Sequence, residues 1–440
     1  MELFNQLFFN KLNFFDKLSL LLFGVLPISL IVGNAAININ ILLIDILFLI
    51  YCSKHQLWSW VKKDIFLYLI ILYVFLILNS LYSYYFVLEN QTKIFYYDEG
   101  ILRSFLFIKY LLLVFASSIF LKNEKILCLV HKSWLIIITI IIFDVFFEKF
   151  TGRNIIGNVS PDGTRIVSFF KDELVVGGLI FCFGYTSSTY FINNSKKNKL
   201  ISPMLILFFL LIPLSVFVTG EKSNFIKSIL LFFIIVYFLK KNKQYLNYKV
   251  LIILIFSLTS CFIIFSENTR IKYQEVYSRF FVAQEKPQRG FEVQRTIWNN
   301  FSNIKYFAHY DVAIQIFKNY PILGVGNKNF RKVCSKEKYF NEKIMFSHNR
   351  CSTHPHQVHF EILSEQGISG YLLILGLIVW LSIKSIKIYI KNKNVHHLSN
   401  IAYVLVFFIP LLPGGGIFST FNGTLFWVIF SLMNLNYEKK

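Results

Sequence analysis

Apolar residues along this chain run in long blocks, without the alternation of strands or the narrow stripe of surface helices. The blocks approach the roughly 20 residues a helix needs to cross a bilayer. Twelve can be drawn, near 18–33, 37–51, 65–88, 101–121, 127–147, 172–192, 201–219, 224–239, 249–265, 367–383, 398–412 and 417–435. They predict an all-α polytopic membrane protein. Its expected plan is nine transmembrane helices in residues 1–265, one large outer loop at 266–358 and three more helices in 359–440. The first run, Leu18 to Gly33, is followed at once by a second hydrophobic segment, as a first span would be, so no cleavable leader is expected.

Composition sharpens this reading. The chain has 440 residues, 55% hydrophobic and 16% charged, where a soluble domain carries about 25% charged residues. A soluble enzyme, a disordered chain and a nucleic-acid-binding module are excluded. The net charge of +21 is topological: Lys and Arg mark cytoplasmic loops. The N-terminus, 52–64, 122–132, 193–199, 240–249, 384–397 and the C-terminus fall on one side and hold 21 Lys and no Arg. Both termini are therefore expected in the cytoplasm. All nine Arg fall on the other side, at 103, 153, 165, 270, 279, 289, 295, 331 and 350. Lys suffices for topology, whereas Arg supplies a planar fork for phosphate and carboxylate. An outer face that binds a phosphorylated substrate would produce this split.

The outer loop carries most of the candidate chemistry. Aromatic residues and the pattern Val312, Ala313, Ile316, Phe317 predict a folded region with a helix over 311–319. Cys334 and Cys351 lie there, 17 residues apart, and an oxidising exterior makes a disulfide the default. The alternative is a zinc site adding His354 and His356, a legal ligand set at an unfamiliar spacing. The stretch Thr353-His354-Pro355-His356-Gln357-Val358-His359 reads as a helix start, with Pro355 at the first helical position, Thr353 or His354 as cap and His356 in the first turn. A helix dipole there disfavours protonation, so a neutral imidazole would be available to take a proton from a hydroxyl. Polar, hydrogen-bonded histidines at an interfacial helix start, or a metal held by the three His, are the other readings. Lys109, inside the fourth block, either reaches a lipid headgroup or snorkels to the interface.

Several segments together resemble the bacterial O-antigen ligase and polymerase superfamily. Tyr320-Pro321-Ile322-Leu323-Gly324-Val325-Gly326 is similar to its P-hydrophobic-hydrophobic-G-V-G element. His354-Pro355-His356-Gln357, followed by Glu365-Gln366-Gly367 and Gly370, resembles H-x-H-N running into E-x-G-x-x-G. Thr219-Gly220-Glu221-Lys222-Ser223 resembles T-G-S-R-S, and Arg165 with Phe170, Asp172, Glu173 and Gly177 resembles an arginine-to-acidic segment leading into a span. The resemblance covers most of residues 150–385 and implies a membrane glycosyltransferase fold of the GT-C-like type. It implies transfer of a glycan from an undecaprenyl-diphosphate carrier to a hydroxyl of lipid A–core, on the periplasmic face of the inner membrane. The displacement would be inverting and need neither metal nor cofactor. His356 would be the catalytic base, with Arg165, Lys222, Arg295, His354 and Gln357 binding substrate. Lys222 stands where the family has Arg, and Gln357 where it has Asn. Arg279 and Arg289 are the other candidates for the second diphosphate arginine. A polymerase using the same lipid-linked donor is the nearest alternative function. A polysaccharide or lipid transporter is the next, but the internal repeats expected of one are not evident.

Overall fold

The computed structural model describes residues 12–88, 98–161, 165–170, 173–194, 203–241, 248–265, 270–271, 274, 305–342, 344 and 346–435. Among these residues the regular structure is helical: α1 (Phe14–Gly24), α2 (Leu26–Val32), α3 (Asn34–His55), α4 (Asp64–Phe86), α5 (Glu99–Phe105), α6 (Ile108–Phe120), α7 (Glu124–Thr151), α8 (Val176–Asn194), α9 (Pro203–Thr219), α10 (Lys222–Lys241), α11 (Tyr248–Phe265), α12 (Lys305–Asn319), α13 (Phe330–Val333), α14 (Val358–Asn392), α15 (Val395–Phe407) and α16 (Thr420–Met433). Each of the twelve apolar blocks corresponds to one of these helices or to a consecutive pair. By length and composition, six are long and apolar enough to cross a membrane: α3, α4, α5 with α6, α7, α10 and α14. The pair α1 and α2, bent by 45°, makes a seventh. This is the architecture of a polytopic membrane protein. The helix expected over 311–319 is α12, which begins six residues earlier.

The bundle hides polar groups and shows apolar ones. Ile39, Leu42, Leu43, Ile46 and Ile50 face outward along α3, and Ile136, Ile140 and Phe143 do so along α7. Asn40, Asn79, Ser80, His131, Thr186 and Asn400 are buried. Lipid is as apolar as leucine, so close packing and interhelical hydrogen bonds, rather than expulsion of water, hold such a bundle together. Helix α8 is central. It is buried nearly throughout and packs on α7, α9, α15 and α16. Its Gly and Ser/Thr positions permit that approach, and Thr186 donates to Asn400 of α15 at 3.1 Å.

The bend between α1 and α2 follows from Pro27, which lacks the N–H that would bond Phe23 O. Trp134 Nε1 donates to Phe23 O at 2.7 Å instead. Ser133 donates to Gly24 O at 3.1 Å, and Asn40 to Leu22 O at 3.2 Å. Neighbouring side chains thus satisfy backbone that an apolar surrounding would leave unpaired.

Candidate active site

The platform of the site is built by the two glycine motifs acting on each other. Helix α14 kinks at Gly367, whose backbone is left-handed (φ 63°). Residues 321–326 lie in that kink: Ile368 N donates to Pro321 O at 2.8 Å, Ser369 N to Ile322 O at 3.2 Å and Val325 N to Ser364 O at 2.9 Å. A Cβ on Gly367 would meet Ile322 O at 2.3 Å, and one on Gly324, also left-handed (φ 69°), would meet the Glu365 carbonyl carbon at 2.5 Å. Both glycines are therefore required by close backbone approach. Glu365 accepts from Lys328 N at 2.9 Å and Phe330 N at 3.3 Å. From α4, Asn79 donates to Gln366 Oε1 at 2.5 Å, and Ser83 donates to Val325 O. The outer segment is thereby fastened to the bundle.

The histidine turn rests on this platform. Its cap differs from the expected one. Helix α14 starts at Val358, and its N-cap is Gln357, whose side chain accepts from Phe360 N at 3.0 Å. His356 precedes the helix in a left-handed conformation (φ 59°) and so lies outside the first turn. The physical reason lies in a third segment. Gly414 N donates to His356 O at 2.7 Å, tying the turn to residues 408–419 between α15 and α16. Gln357 also donates to Ile409 O at 3.4 Å.

Tautomers follow from the partners, because a carbonyl can only accept. His354 Nε2 carries hydrogen toward Gly414 O at 3.3 Å, so its Nδ1 accepts from Thr353 at 3.0 Å. His359 is likewise fixed between Phe408 O (2.7 Å) and Tyr371 OH (3.0 Å), away from the other two. The residue that does join them is His309 of α12. Its ring lies 5.2 Å from that of His356, and its Nδ1 donates to Arg350 O at 2.9 Å, leaving Nε2 with the lone pair. His354 and His356 rings are 4.4 Å apart, Tyr306 lies 5.2 Å from His356, and Ser352 Oγ is 2.9 Å from His356 Nε2.

Burial first, then the neighbouring histidines and Lys305, lower the His356 pKa to about 3. Burial, then Lys328, lowers that of His354 to about 4, with Arg331 and His309 adding to the effect. His309 is lowered too, chiefly by burial. All three rings are held toward the neutral form, but with the His354 nitrogens engaged by Thr353 and Gly414 only His309 and His356 are placed to accept a proton. The cause is thus desolvation and nearby positive charge, in place of the expected helix dipole.

Cys334 and Cys351 form a disulfide with Cα atoms 5.4 Å apart, so both sulfurs are withdrawn from any zinc set. Arg350 beside it donates to Cys334 O (3.0 Å), Ser335 O (3.1 Å) and Ser347 O (3.3 Å). Its guanidinium folds the loop, while its carbonyl orients His309. With both nitrogens engaged, His354 offers no lone pair to a metal. Among the described residues, no group of three or more His, Cys, Asp or Glu side chains is arranged to hold one.

The two remaining motifs meet each other. Ile166 N donates to Thr219 O at 3.2 Å, and Glu221 accepts from Gly177 N at 2.7 Å and Asn224 at 2.5 Å. Burial raises the Glu221 pKa to about 7 against the pull of those donors and of the Arg165 charge. Arg165 is half-buried, and Lys222 opens α10, also half-buried. Phe170 packs on Phe421, which brings this pair of segments to the start of α16. Arg295, with Arg279, Arg289 and Trp298, lies outside the described residues.

One turn into α10, Lys227 is 5% exposed and donates to Pro413 O at 3.5 Å. Gly414, the neighbour of that carbonyl, holds both His354 and His356. Glu361 forms the other wall, pairing with Lys328 at 3.7 Å and accepting from Ile417 N at 2.8 Å. Lys227, His309, Lys328, Glu361 and the 413–416 turn were not singled out from sequence. Lys227 sits in an apolar block, and the others gain meaning only by spatial approach. The run Gly414-Gly415-Gly416 was the one available signal, since three successive glycines mark backbone passing close to something.

Residues 205–375 match a protein-family model described as O-antigen ligase. That span runs from α9 to the middle of α14 and contains the Thr219–Ser223, Pro321–Gly326 and His354–Gly370 segments. No curated protein matches the chain.

Proposed function

The chain belongs to the O-antigen ligase superfamily through residues 205–375, and from that premise we propose that it moves a glycan from an undecaprenyl-diphosphate carrier to a hydroxyl of lipid A–core. The transfer takes place on the periplasmic face of the bacterial inner membrane, with both termini in the cytoplasm. The observation that carries this reading is the cluster of neutral histidines, His309 buried and His354 and His356 half-buried, within reach of the charges of Lys305, Lys328 and Arg331.

In this mechanism His356 takes the proton of the acceptor hydroxyl as its oxygen attacks the anomeric carbon. The bond to the diphosphate breaks with inversion, and fixed cations receive the developing charge without a metal. Arg165, Lys222 and Arg295 are the proposed diphosphate ligands, and Lys227 adds a cation within the bundle. His354 and Gln357 hold the turn that presents His356. An imidazole with a pKa near 3 is a weak base. An incoming diphosphate offsets the surrounding positive charge and raises that pKa, so the base strengthens when the donor is present.

The test is a deletion strain complemented with wild type or His356→Ala, its lipopolysaccharide run beside its carrier-linked glycans. Bare core with long glycans retained on the carrier supports ligation. Core bearing one repeat instead indicates the polymerase reading, which shares the donor. A full ladder restored by His356→Ala would overturn the assignment of the base.

A further inference from the structure

A second cluster of cations lies across the Asn327-Lys328 dipeptide from the histidines. Lys328 turns toward Glu361 and the histidine side. Asn327 turns the other way, into a cavity lined by Arg103, Leu106, Phe107, Lys109, Tyr110, Phe418 and Thr420. The cavity lies where α5 ends and α6 begins. Two cations therefore line one small space, and like charges so placed repel unless an anion joins them.

Their protein partners only partly offset this. Arg103 donates to the neutral Thr420 hydroxyl at 3.1 Å and lies 3.6 Å from Glu99. Glu99 is shared with Arg331, which is closer at 3.1 Å. Lys109 donates to the neutral Asn38 amide at 2.5 Å. Among the described residues no ion pair joins Lys109 to Asp45.

Two further features define what would bind. Asn327 is 1% exposed, and its Nδ2 donates to Ser104 at 3.0 Å while its Oδ1 accepts nothing. A buried acceptor without a donor is costly, and a ligand hydroxyl would satisfy it. Beside Arg103, the side chains of Leu102, Phe105, Leu106 and Ile108 are exposed on the outside of the bundle. A ligand entering there would bring acyl chains, an anionic group and a hydroxyl together.

We propose that Arg103, Lys109, Asn327 and Thr420 form a laterally open site for the phosphorylated sugar headgroup of a membrane glycolipid. Phosphate oxygens lie between Arg103 and Lys109, and a sugar hydroxyl donates to Asn327. The identity of the glycolipid as a substrate rests on the transferase reading above; the binding site does not. Its source is either the acceptor, whose lipid-anchored sugars carry phosphates, or the donor carrier.

The experiment uses the full chain in nanodiscs, with native mass spectrometry for lipid A bisphosphate and, separately, undecaprenyl diphosphate. The same samples are assayed for glycan transfer. Arg103→Gln and Lys109→Met should each weaken one of these lipids about tenfold or more, the size of one lost charge-assisted hydrogen bond. Arg103→Lys should retain most of the affinity. Selective loss of lipid A bisphosphate identifies an acceptor site, and selective loss of undecaprenyl diphosphate a carrier site. Unchanged affinity for both in correctly folded variants would overturn the proposal, as would equal loss in Arg103→Lys and Arg103→Gln. If the wild type transfers no glycan yet the binding differences persist, the transferase reading fails and the site stands.

Discussion

At the scale of single residues, His356 carries the most specific expectation. An ordinary histidine loses its basic form below about pH 6.5. Here burial and nearby positive charge hold the pKa near 3, so the neutral form persists as pH falls through that value. The rate of transfer at limiting donor, which reports the free enzyme, should stay free of a histidine inflection between pH 8 and 5. An inflection near 6.5 would show that the site is wetter than its geometry implies. His356→Ala should reduce transfer by roughly a hundredfold or more, the contribution of a positioned general base. Lys227 is a separate case. Lys227→Met removes a buried cation beside the 413–416 turn and should slow transfer by about 10–100-fold, with membrane insertion unchanged and Lys227→Arg partly active. Equal rates for Lys227→Met and wild type would assign that side chain to packing alone.

Residue-scale legibility in the sequence was uneven for a physical reason. His354, His356, Cys334 and Cys351 stand out because such side chains are rare in an apolar chain and lie close together along it. His309 lies 47 positions before His356 and became part of the cluster only when α12 packed against the 350–356 turn. The arginine asymmetry was visible, but its meaning is mixed. Arg350 spends its guanidinium on loop carbonyls and Arg331 pairs with Glu99, so some of these residues fold the outer region. Lys109, ambiguous in the sequence, lies part-buried against Asn38 in a lined cavity.

At the scale of elements, the apolar blocks were legible because helix length is dictated by bilayer thickness. The breaks within them were less so. Pro27 and its 45° bend have a local signal, whereas the interruption between α5 and α6 has none as plain. The kink of α14 depends on a partner 45 residues upstream in sequence. Gly367 requires residues 321–324 to be in place, and they require Gly367. Gly367→Ala and Gly324→Ala should each destabilise by several kcal/mol, combining strain at positive φ with a backbone clash. Gly376, in the straight part of the same helix, provides the comparison. A Cβ there meets only the Tyr68 hydroxyl at 2.8 Å, the movable end of a side chain. Gly376→Ala should therefore leave the thermal midpoint in detergent nearly unchanged while Gly367→Ala lowers it clearly. Similar midpoints for the two would mean that the 321–326 segment does not brace the kink.

For the whole molecule, charge distribution, the disulfide and site assembly must agree on one side of the membrane. On the proposed topology the Lys-only stretches, residues 384–397 among them, are cytoplasmic. The Cys334–Cys351 disulfide suits an oxidising compartment, and the proposed topology accordingly puts it on the opposite side. Hydrogen bonds and ion pairs bind the residues flanking the disulfide loop to the start of α5 and to the turn between α15 and α16: Asp98 to Lys332 at 2.7 Å, Glu99 to Arg331, and Gly414 to His356. Helix ends joined in this way cannot be divided between compartments. Single cysteines at exposed Lys393 and Arg153 test the agreement by labelling with a membrane-impermeant maleimide. Arg153→Cys should react in intact spheroplasts and Lys393→Cys only after lysis. The reverse pattern would place the disulfide in a reducing compartment and separate the histidines from a periplasmic acceptor, so the arrangement and the proposed transfer would fall together. With the expected pattern, reducing the disulfide becomes informative. Opening this loop removes about 3 kcal/mol of chain-entropy stabilisation. It also loosens Arg350, whose carbonyl holds His309, so transfer should decline before the bundle unfolds.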